Sequence, residues 1–411
     1  MLDRLTIERM MAWTGDRPVL VALSGGGDSV ALLHLLVAEL GAARLRAVTV
    51  DHALREGSVN DARRAQSFAE ALGVSAAIVT LSWEKGANRA QQAAREGRYR
   101  AICDYARTEG LNTIVAAHAA DDQAETVLMR AANGSTWRGL AGIAPFAFAP
   151  IWPEGRGIAL ARPLLGARRE ELRAFLRDTG AAWIEDPAND DPKFERVRVR
   201  ARLAEMEAGG FDPRRLVRLA ERLRRRSDAL DGAAHELILR AVDVDFAPTI
   251  RRDSWVAPRE VRLRALSALI AAAAGASREP PWTEMPRLEW KIMTQPHYGA
   301  THSGVDFTSK MHSVTLLRSL GASIGRADGV PPLAPLPLAT GVEVIWDGRL
   351  AVTATEPGWR VVPARNGHRL VFESGSVRRH YSEMEGRLRL HPLAAERIAH
   401  AFAPDINRAK P

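Results

Sequence analysis

The sequence predicts an α/β fold, a doubly wound parallel sheet followed by a helical second domain and a small β-rich C-terminal piece. Three observations point there. Apolar runs alternate with amphipathic stretches through the first half, at the spacing of βαβ units. A glycine loop, SGGGDS at Ser24–Ser29, stands between the apolar run VLVAL and the apolar-periodic run VALLHLL. Further polar clusters at Asp51–His52 and His118–Glu125 also end apolar runs. They fall on the C-terminal edge, where such sheets hold ligands.

Taken in order, strands are expected at Pro18–Leu23, Leu45–Val50, Ala76–Ser82 and Thr113–Ala117. Helices are expected at Ser29–Leu40, Val59–Leu72 and Arg89–Thr108, with another starting near Asp121. Gly41, Gly73 and Gly110 sit where helix C-caps belong, and Ser58 followed by Asp61 resembles a helix start. Arg168–Thr179 reads as a helix, and the charged, turn-rich segment WIEDPANDDPKFERVRVR then closes a first domain over 1–205. Helical periodicity dominates 214–275, which suggests a mainly helical domain over 206–325. PPLAPLP at Pro331–Pro337 reads as a stiff linker into an α+β piece over 338–411, with β-like runs at 342–346 and 358–362. No internal repeat or long heptad run is evident.

At 411 residues the chain is long enough for two to four domains of roughly 100–200 residues. With 46% apolar and 26% charged residues it matches globular averages, which excludes wholesale disorder. Cys103 stands alone, so an internal disulfide, a Cys-only zinc site and a CxxC motif are all excluded, and a reducing compartment is the natural reading. The longest nearly apolar run, Ala265–Ala276, is shorter than the roughly 18 residues that span a bilayer. The N-terminal MLDRLTIERMMAW lacks a basic flank and apolar core, so the expected location is cytoplasmic. Lys+Arg minus Asp+Glu is 57 − 49 = +8, a balance that favours a polyanionic partner. Arginine supplies 52 of those 57 bases, which fits a coding bias, but bias does not set the sign.

A strand, a glycine loop and a helix N-terminus make an anion site, because free N–H groups and the helix dipole face the ligand. No Lys-Ser/Thr follows the glycines, so this is not the ordinary P-loop. Asp28 would repel a phosphate unless a cation such as Mg²⁺ bridged the two. The plainer reading of the loop is a tight strand-to-helix turn. The plainer reading of Asp121, Asp122 and Glu125 is dipole complementation in a first helical turn.

SGGGDS, VDHALR, NRAQQAAREGRYR, AHAADDQAET, RPLL and EDPANDDPKFERVRVR, in this order, resemble the tRNA(Ile)-lysidine synthetases, members of the N-type ATP pyrophosphatase (PP-loop) group. The likeness spans residues 18–205. It implies the PP-loop fold, related to adenine nucleotide hydrolases. It also implies a carbon–nitrogen ligase that adenylates the C2 oxygen of the wobble cytidine of tRNA(Ile) with a CAU anticodon, then lets free lysine displace AMP. On this reading Ser24, Gly25, Gly26, Gly27, Asp28, Ser29, Asp51 and Arg162 contact ATP, and Asp28 also holds Mg²⁺. Asp28, His118, Asp121 and Asp122 stand at the reacting centre, one of the last two accepting the lysine's proton or recognising its ammonium. The stretch Glu195–Arg226 holds 11 arginines against five acids, and Arg196, Arg198, Arg200, Arg224, Arg225 and Arg226 are expected to meet tRNA phosphates.

The sequence departs from the family pattern in three places. Ala119 stands where a second histidine is usual, RVRVR at Arg196–Arg200 lacks the asparagine of RNRxR, and the C-terminal half lacks the basic, glycine-containing pattern of the acceptor-stem-binding domain. Thiolating and amidotransferase relatives need cysteines this chain does not have. A free-ammonia ligase and a non-catalytic RNA-binding protein remain as alternatives. Oligomeric state is not legible.

Overall fold

The structure, a computed structural model, describes residues 1–53, 57–82, 91–185, 193, 195–325, 331–363 and 370–404. Leu54 and Arg55 of VDHALR, the expected helix start at Arg89, and most of EDPANDDP lie outside the described residues. The chain divides into two compact units, Met1–Ala229 and Leu230–Phe402.

The first unit begins with α1 (Arg4–Thr14), β1 (Val19–Ala22), α2 (Gly27–Leu40), β2 (Leu45–Asp51), α3 (Ser58–Ala71) and β3 (Ser75–Thr80). It continues through α4 (Gln91–Thr108), β4 (Thr113–Val115), α5 (Ala120–Ala132), α6 (Trp137–Leu140), β5 (Phe146–Phe148) and β6 (Ala159–Ala161). Helices α7 (Arg169–Thr179), α8 (Glu195–Ala208) and α9 (Arg214–Ala241) follow, the last running on into the second unit.

Six strands form one sheet in the order β3-β2-β1-β4-β6-β5, parallel except for β5. Successive side chains of a strand point to opposite faces, and the core divides accordingly. Val19, Val21, Ala47 and Val115 join a cluster with Met10 of α1, Leu32 and Leu36 of α2, Ala65 of α3 and Leu172 of α7. Leu20, Val48, Ile114 and Leu160 join the opposite cluster with Ile102, Cys103 and Ala106 of α4. Burial in that layer pushes the Cys103 thiol up to about 12, so it is an inert core residue. The order reverses between β1 and β4, and the sequence after each of these strands therefore borders one crevice.

The expected strands and helices of this unit are present within two or three residues at each end. Ser58 is the first residue of α3 rather than its cap; Gly57 takes that position and no side chain caps the helix. The second unit contains a feature that periodicity did not suggest. After β7 (Val242–Asp243), β8 (Thr249–Arg251), α10 (Arg259–Ala274) and α11 (Met285–Thr294) come β9 (Gly299–His302), β10 (Val305–Ser309) and β11 (Ser313–Arg318), then α12 (Leu320–Ile324). These strands form a five-stranded antiparallel sheet, β7-β8-β11-β10-β9, inside the stretch expected to be mainly helical. Val305, Phe307, Val314 and Leu316 press against the alanine-rich α10, so the apolar run Ala265–Ala274 is core. Among the described residues no helix is long and apolar enough to cross a membrane.

The same unit ends in β12 (Leu336–Pro337), β13 (Glu343–Trp346), β14 (Leu350–Ala354), β15 (Arg360–Val362), β16 (Val371–Ser374), β17 (Val377–His380), β18 (Leu388–Pro392) and α13 (Ala394–His400). They make a four-stranded and a three-stranded sheet around Trp346, Val352, Val361 and Phe372.

Candidate active site

The glycine loop follows β1 and opens α2. Gly25 has φ +81, and a Cβ there would lie 2.6 Å from Ile184 Cδ1 and 3.0 Å from the Ala65 Cβ. Only glycine fits that conformation and that gap. The Ile184 N–H also donates to the Gly25 carbonyl at 2.9 Å, pinning the loop from behind. Gly26 is open by contrast, with nothing nearer to an added Cβ than the Ser24 Oγ at 3.6 Å. No side chain caps α2, so the N–H groups at its start remain for an anion. The Ser24 and Ser29 hydroxyls lie 3.1 Å apart beside them.

Asp28, in the first turn of α2, belongs to an acidic group that the fold gathers from two helices, α2 and α5. Asp28 Oδ2 accepts from Arg169 Nε at 3.0 Å, and Asp122 Oδ1 accepts from Arg169 Nη2 at 3.2 Å. Asp121 accepts from Arg168 Nε at 3.1 Å and from the Arg169 N–H at 2.7 Å. Glu125, fully buried, accepts from Arg200 Nε at 2.9 Å and has Arg169 Nη1 at 3.6 Å. Glu207 accepts from Arg168 Nη1 at 3.1 Å and Nη2 at 3.2 Å, so five carboxylates share the three guanidiniums. Burial raises the Asp28 carboxyl above its usual range, against the opposing pull of Arg169. Burial alone would lower Arg169, but Asp122 and Asp28 outweigh it and raise it.

The start of α5 is fixed from both sides. The Ala120 N–H donates to the Ala167 carbonyl at 2.8 Å, tying α5 to the residues that open α7. The Asp122 carboxylate accepts from the Ala119 N–H at 2.8 Å, so one of its oxygens also closes the helix start. Asp122 therefore completes its helix start and also meets Arg169.

Beyond β4 the sign reverses. Burial holds His118 well below its ordinary range, reinforced by Arg162, Arg95, Arg98 and Arg196. Arg162, buried at the end of β6, donates to the Ala144 carbonyl at 2.7 Å and bonds the Tyr99 hydroxyl. Burial would raise the Tyr99 phenol, yet Arg162, Arg95 and Arg98 bring it below its usual value. Arg95 also lies over the Tyr99 ring at 5.1 Å, and Arg98 at 5.5 Å. His52 is lowered by burial and then by Arg98, with Asp51 opposing. Asp51 is buried and accepts from the Ala53 N–H at 2.9 Å, closing its own turn.

The arginines expected to meet RNA are placed unequally. Arg200 is committed to Glu125, and Arg198 donates to the Lys193 carbonyl at 3.0 Å. Arg196 is among the groups that bear on His118. Arg224 is half-buried and donates to the carbonyls of Ala141 at 3.3 Å and Gly142 at 3.0 Å. Arg225 is exposed, and Arg226, also exposed, lies 5.0 Å over the Trp137 ring. Sequence reasoning gave no role to Arg168, Arg169, Arg95, Arg98 or Tyr99. One signal was present for the first pair: arginines at a helix N-terminus oppose the helix dipole, so they need a tertiary partner.

A family model described as a PP-loop domain matches residues 3–207. A tRNA(Ile)-lysidine synthase of Hyphomonas neptunium is 40% identical over 311 residues, covering 74% of this chain and 83% of that protein. That of Mesorhizobium japonicum is 36% identical over 373 residues, covering 87% and 78%. The chain belongs to the tRNA(Ile)-lysidine synthase family. Its Ser24–Ser29 loop lies within the matched span, and ATP binding through this PP-loop goes with that membership. Among solved structures, a tRNA thiolase, NcsA from Methanococcus maripaludis, matches at a TM-score of 0.42 and 18% identity over 54% of this chain and 78% of its own.

Proposed function

We propose that this chain is an ATP-dependent ligase that joins free lysine to C2 of the wobble cytidine of tRNA(Ile) bearing a CAU anticodon. The observation that carries the reading is family membership over most of the chain, joined to a site of two opposite signs at the sheet's reversal point. The reaction brings together a polyphosphate, an RNA strand and an amine, and the two halves of the site suit them.

On this reading the Ser24–Ser29 loop and the start of α2 hold the ATP phosphates, with Asp51 and Arg162 completing that side. Mg²⁺ takes one or two carboxylates together with phosphate oxygens, and Asp28 would hold it. Among the described residues no group of three or more His, Cys, Asp or Glu is placed to hold a metal by protein ligands alone. When bound, the ion would neutralise phosphate charge beside Asp28. The C2 oxygen attacks the α-phosphorus, pyrophosphate leaves, and the lysine amine, having lost its proton to solvent, then attacks C2 and displaces AMP. His118, kept neutral among arginines, donates or accepts a hydrogen bond without adding charge to the anion side. Arg95, Arg98 and Arg196 hold RNA or nucleotide phosphate near it.

The acidic half recognises the lysine's ammonium. The carboxylates gathered there, Glu207 included, outnumber the guanidiniums that pair with them, which leaves charge for the ammonium beside the Mg²⁺ that Asp28 would hold. Both oxygens of Asp121 and of Asp122 already accept hydrogen bonds, which suits recognition better than removal of a proton. Of the arginines expected to meet RNA, Arg225 and Arg226 are exposed on α9 and remain for tRNA phosphates, beside the exposed Arg215 and Arg222 of the same helix. The test is direct: incubate the protein with ATP, Mg²⁺, radiolabelled lysine and CAU-anticodon tRNA(Ile), digest the RNA and look for lysidine. Folded protein that leaves the RNA unlabelled overturns the proposal.

A further inference from the structure

In the second unit, α10 and α11 border a hollow of about 570 Å³ that shares no residue with the site above. Arg259, Arg262, Thr283, Pro286, Arg287, Glu289 and Trp290 line it. Helix α11 buries Met285, Leu288 and Ile292 in the core and turns Trp290, 57% exposed, to the opposite side. The one acid present, Glu289, is buried and accepts from Arg262 Nε at 2.7 Å. Arg259 and Arg287 are exposed, and neither has an ion pair among the described residues.

From this arrangement we propose that the hollow is a docking site for an unpaired nucleotide of the substrate tRNA, its base stacked on Trp290 and the adjoining phosphates held by Arg259 and Arg287. An exposed tryptophan face flanked by free guanidiniums is the pairing that single-stranded nucleic acid uses, since every base has a π-face and every link a charge. The volume is that of a small-ligand site, large enough for one nucleotide. A base inside a duplex is already stacked on both faces, so the tryptophan selects a splayed or terminal one. With Glu289 neutralised by Arg262, the lining presents net positive charge, in line with the chain's +8.

The inference rests on the tRNA-modifying function proposed above. Filter binding of full-length CAU-anticodon tRNA(Ile) across a salt series, with ATP affinity and melting temperature measured beside it, separates the two. Trp290→Ala should weaken tRNA binding about tenfold at every salt concentration, and Trp290→Phe should recover most of that loss. The double variant Arg259→Gln/Arg287→Gln should bind more weakly and flatten the log–log salt slope by roughly 1.4, two single-strand phosphate contacts. ATP affinity and melting temperature should stay as in the wild type. Unchanged tRNA affinity and slope in these variants, while the wild type binds tRNA, overturn the docking site and leave the function standing. A wild-type protein that does not bind tRNA overturns the function itself.

Discussion

Two adjacent glycines and one aspartate show how single residues divide the work of folding from the work of binding. Gly25→Ala forces a methyl to 2.6 Å from Ile184 at φ +81, so it should lower stability by about 2 kcal/mol and lower the urea midpoint. Gly26→Ala adds a methyl to open space in a conformation alanine adopts (φ −71), so the fold should hold while ATP affinity falls at least tenfold. Equilibrium ATP binding and urea unfolding of the two variants check this contrast, and similar behaviour of both would refute it. Asp28 carries the opposite lesson. Its carboxyl is raised by burial, so the folded state binds the proton more tightly than the unfolded chain does. Its charge therefore opposes folding once the pH passes above both values, and the penalty vanishes as the pH falls towards the unfolded value. Asp28→Asn should abolish turnover yet raise the melting temperature at pH 7 by roughly 1–3 °C. A lower melting temperature would show that the pairing with Arg169 outweighs the burial cost.

At the scale of elements, two ion pairs, Arg200 with Glu125 and Glu207 with Arg168, dock a helix whose sequence does not announce it. ERVRVR alternates charge and valine with period two, the pattern of a strand, yet it opens α8, which buries only Leu203 among its apolar residues. Arg200 ties α8 to α5 through the buried Glu125, which otherwise keeps only Arg169 at 3.6 Å, and Asn133 at the end of α5 donates to Glu195 at 3.4 Å. Arg200→Ala leaves a buried carboxylate under-paired and should cost about 2–3 kcal/mol. Faster amide exchange confined first to α8 is the expected sign. Uniform acceleration across the first unit, or none, would refute the docking role. Helix α7 follows the same logic. Its leading arginines oppose their own dipole and are kept because Asp28, Asp121, Asp122 and Glu125 converge on them.

For the whole molecule, charge and protonation set the conditions of stability. His118 and His52 are both lowered from their ordinary values, so the unfolded chain binds protons that the folded chain does not. Their contribution is complete above about pH 6.5 and is lost as the pH falls towards the folded values, at up to about 1.4 kcal/mol per pH unit for each group. Unfolding midpoints should therefore drop between pH 7.5 and 5.5, and His118→Gln should shrink that drop; an unchanged slope in the variant would refute it. The sequence by itself determined the doubly wound sheet, because apolar period two and glycine punctuation are local, and it determined which loops meet at the C-terminal edge. SGGGDS and the AHAADDQAET segment were legible for the same reason. The hairpin of β10 and β11 was written in the alternation of Val305 and Phe307 with Asp306 and Thr308, although helical runs on either side dominate that stretch. Only the tertiary structure decided how the charges pair. Arg169 lies 141 residues from Asp28 and 44 from Glu125 along the chain, and no periodicity records which acid a distant arginine will meet. Electrostatic partnership acts through space, and its geometry exists only once the helices have packed.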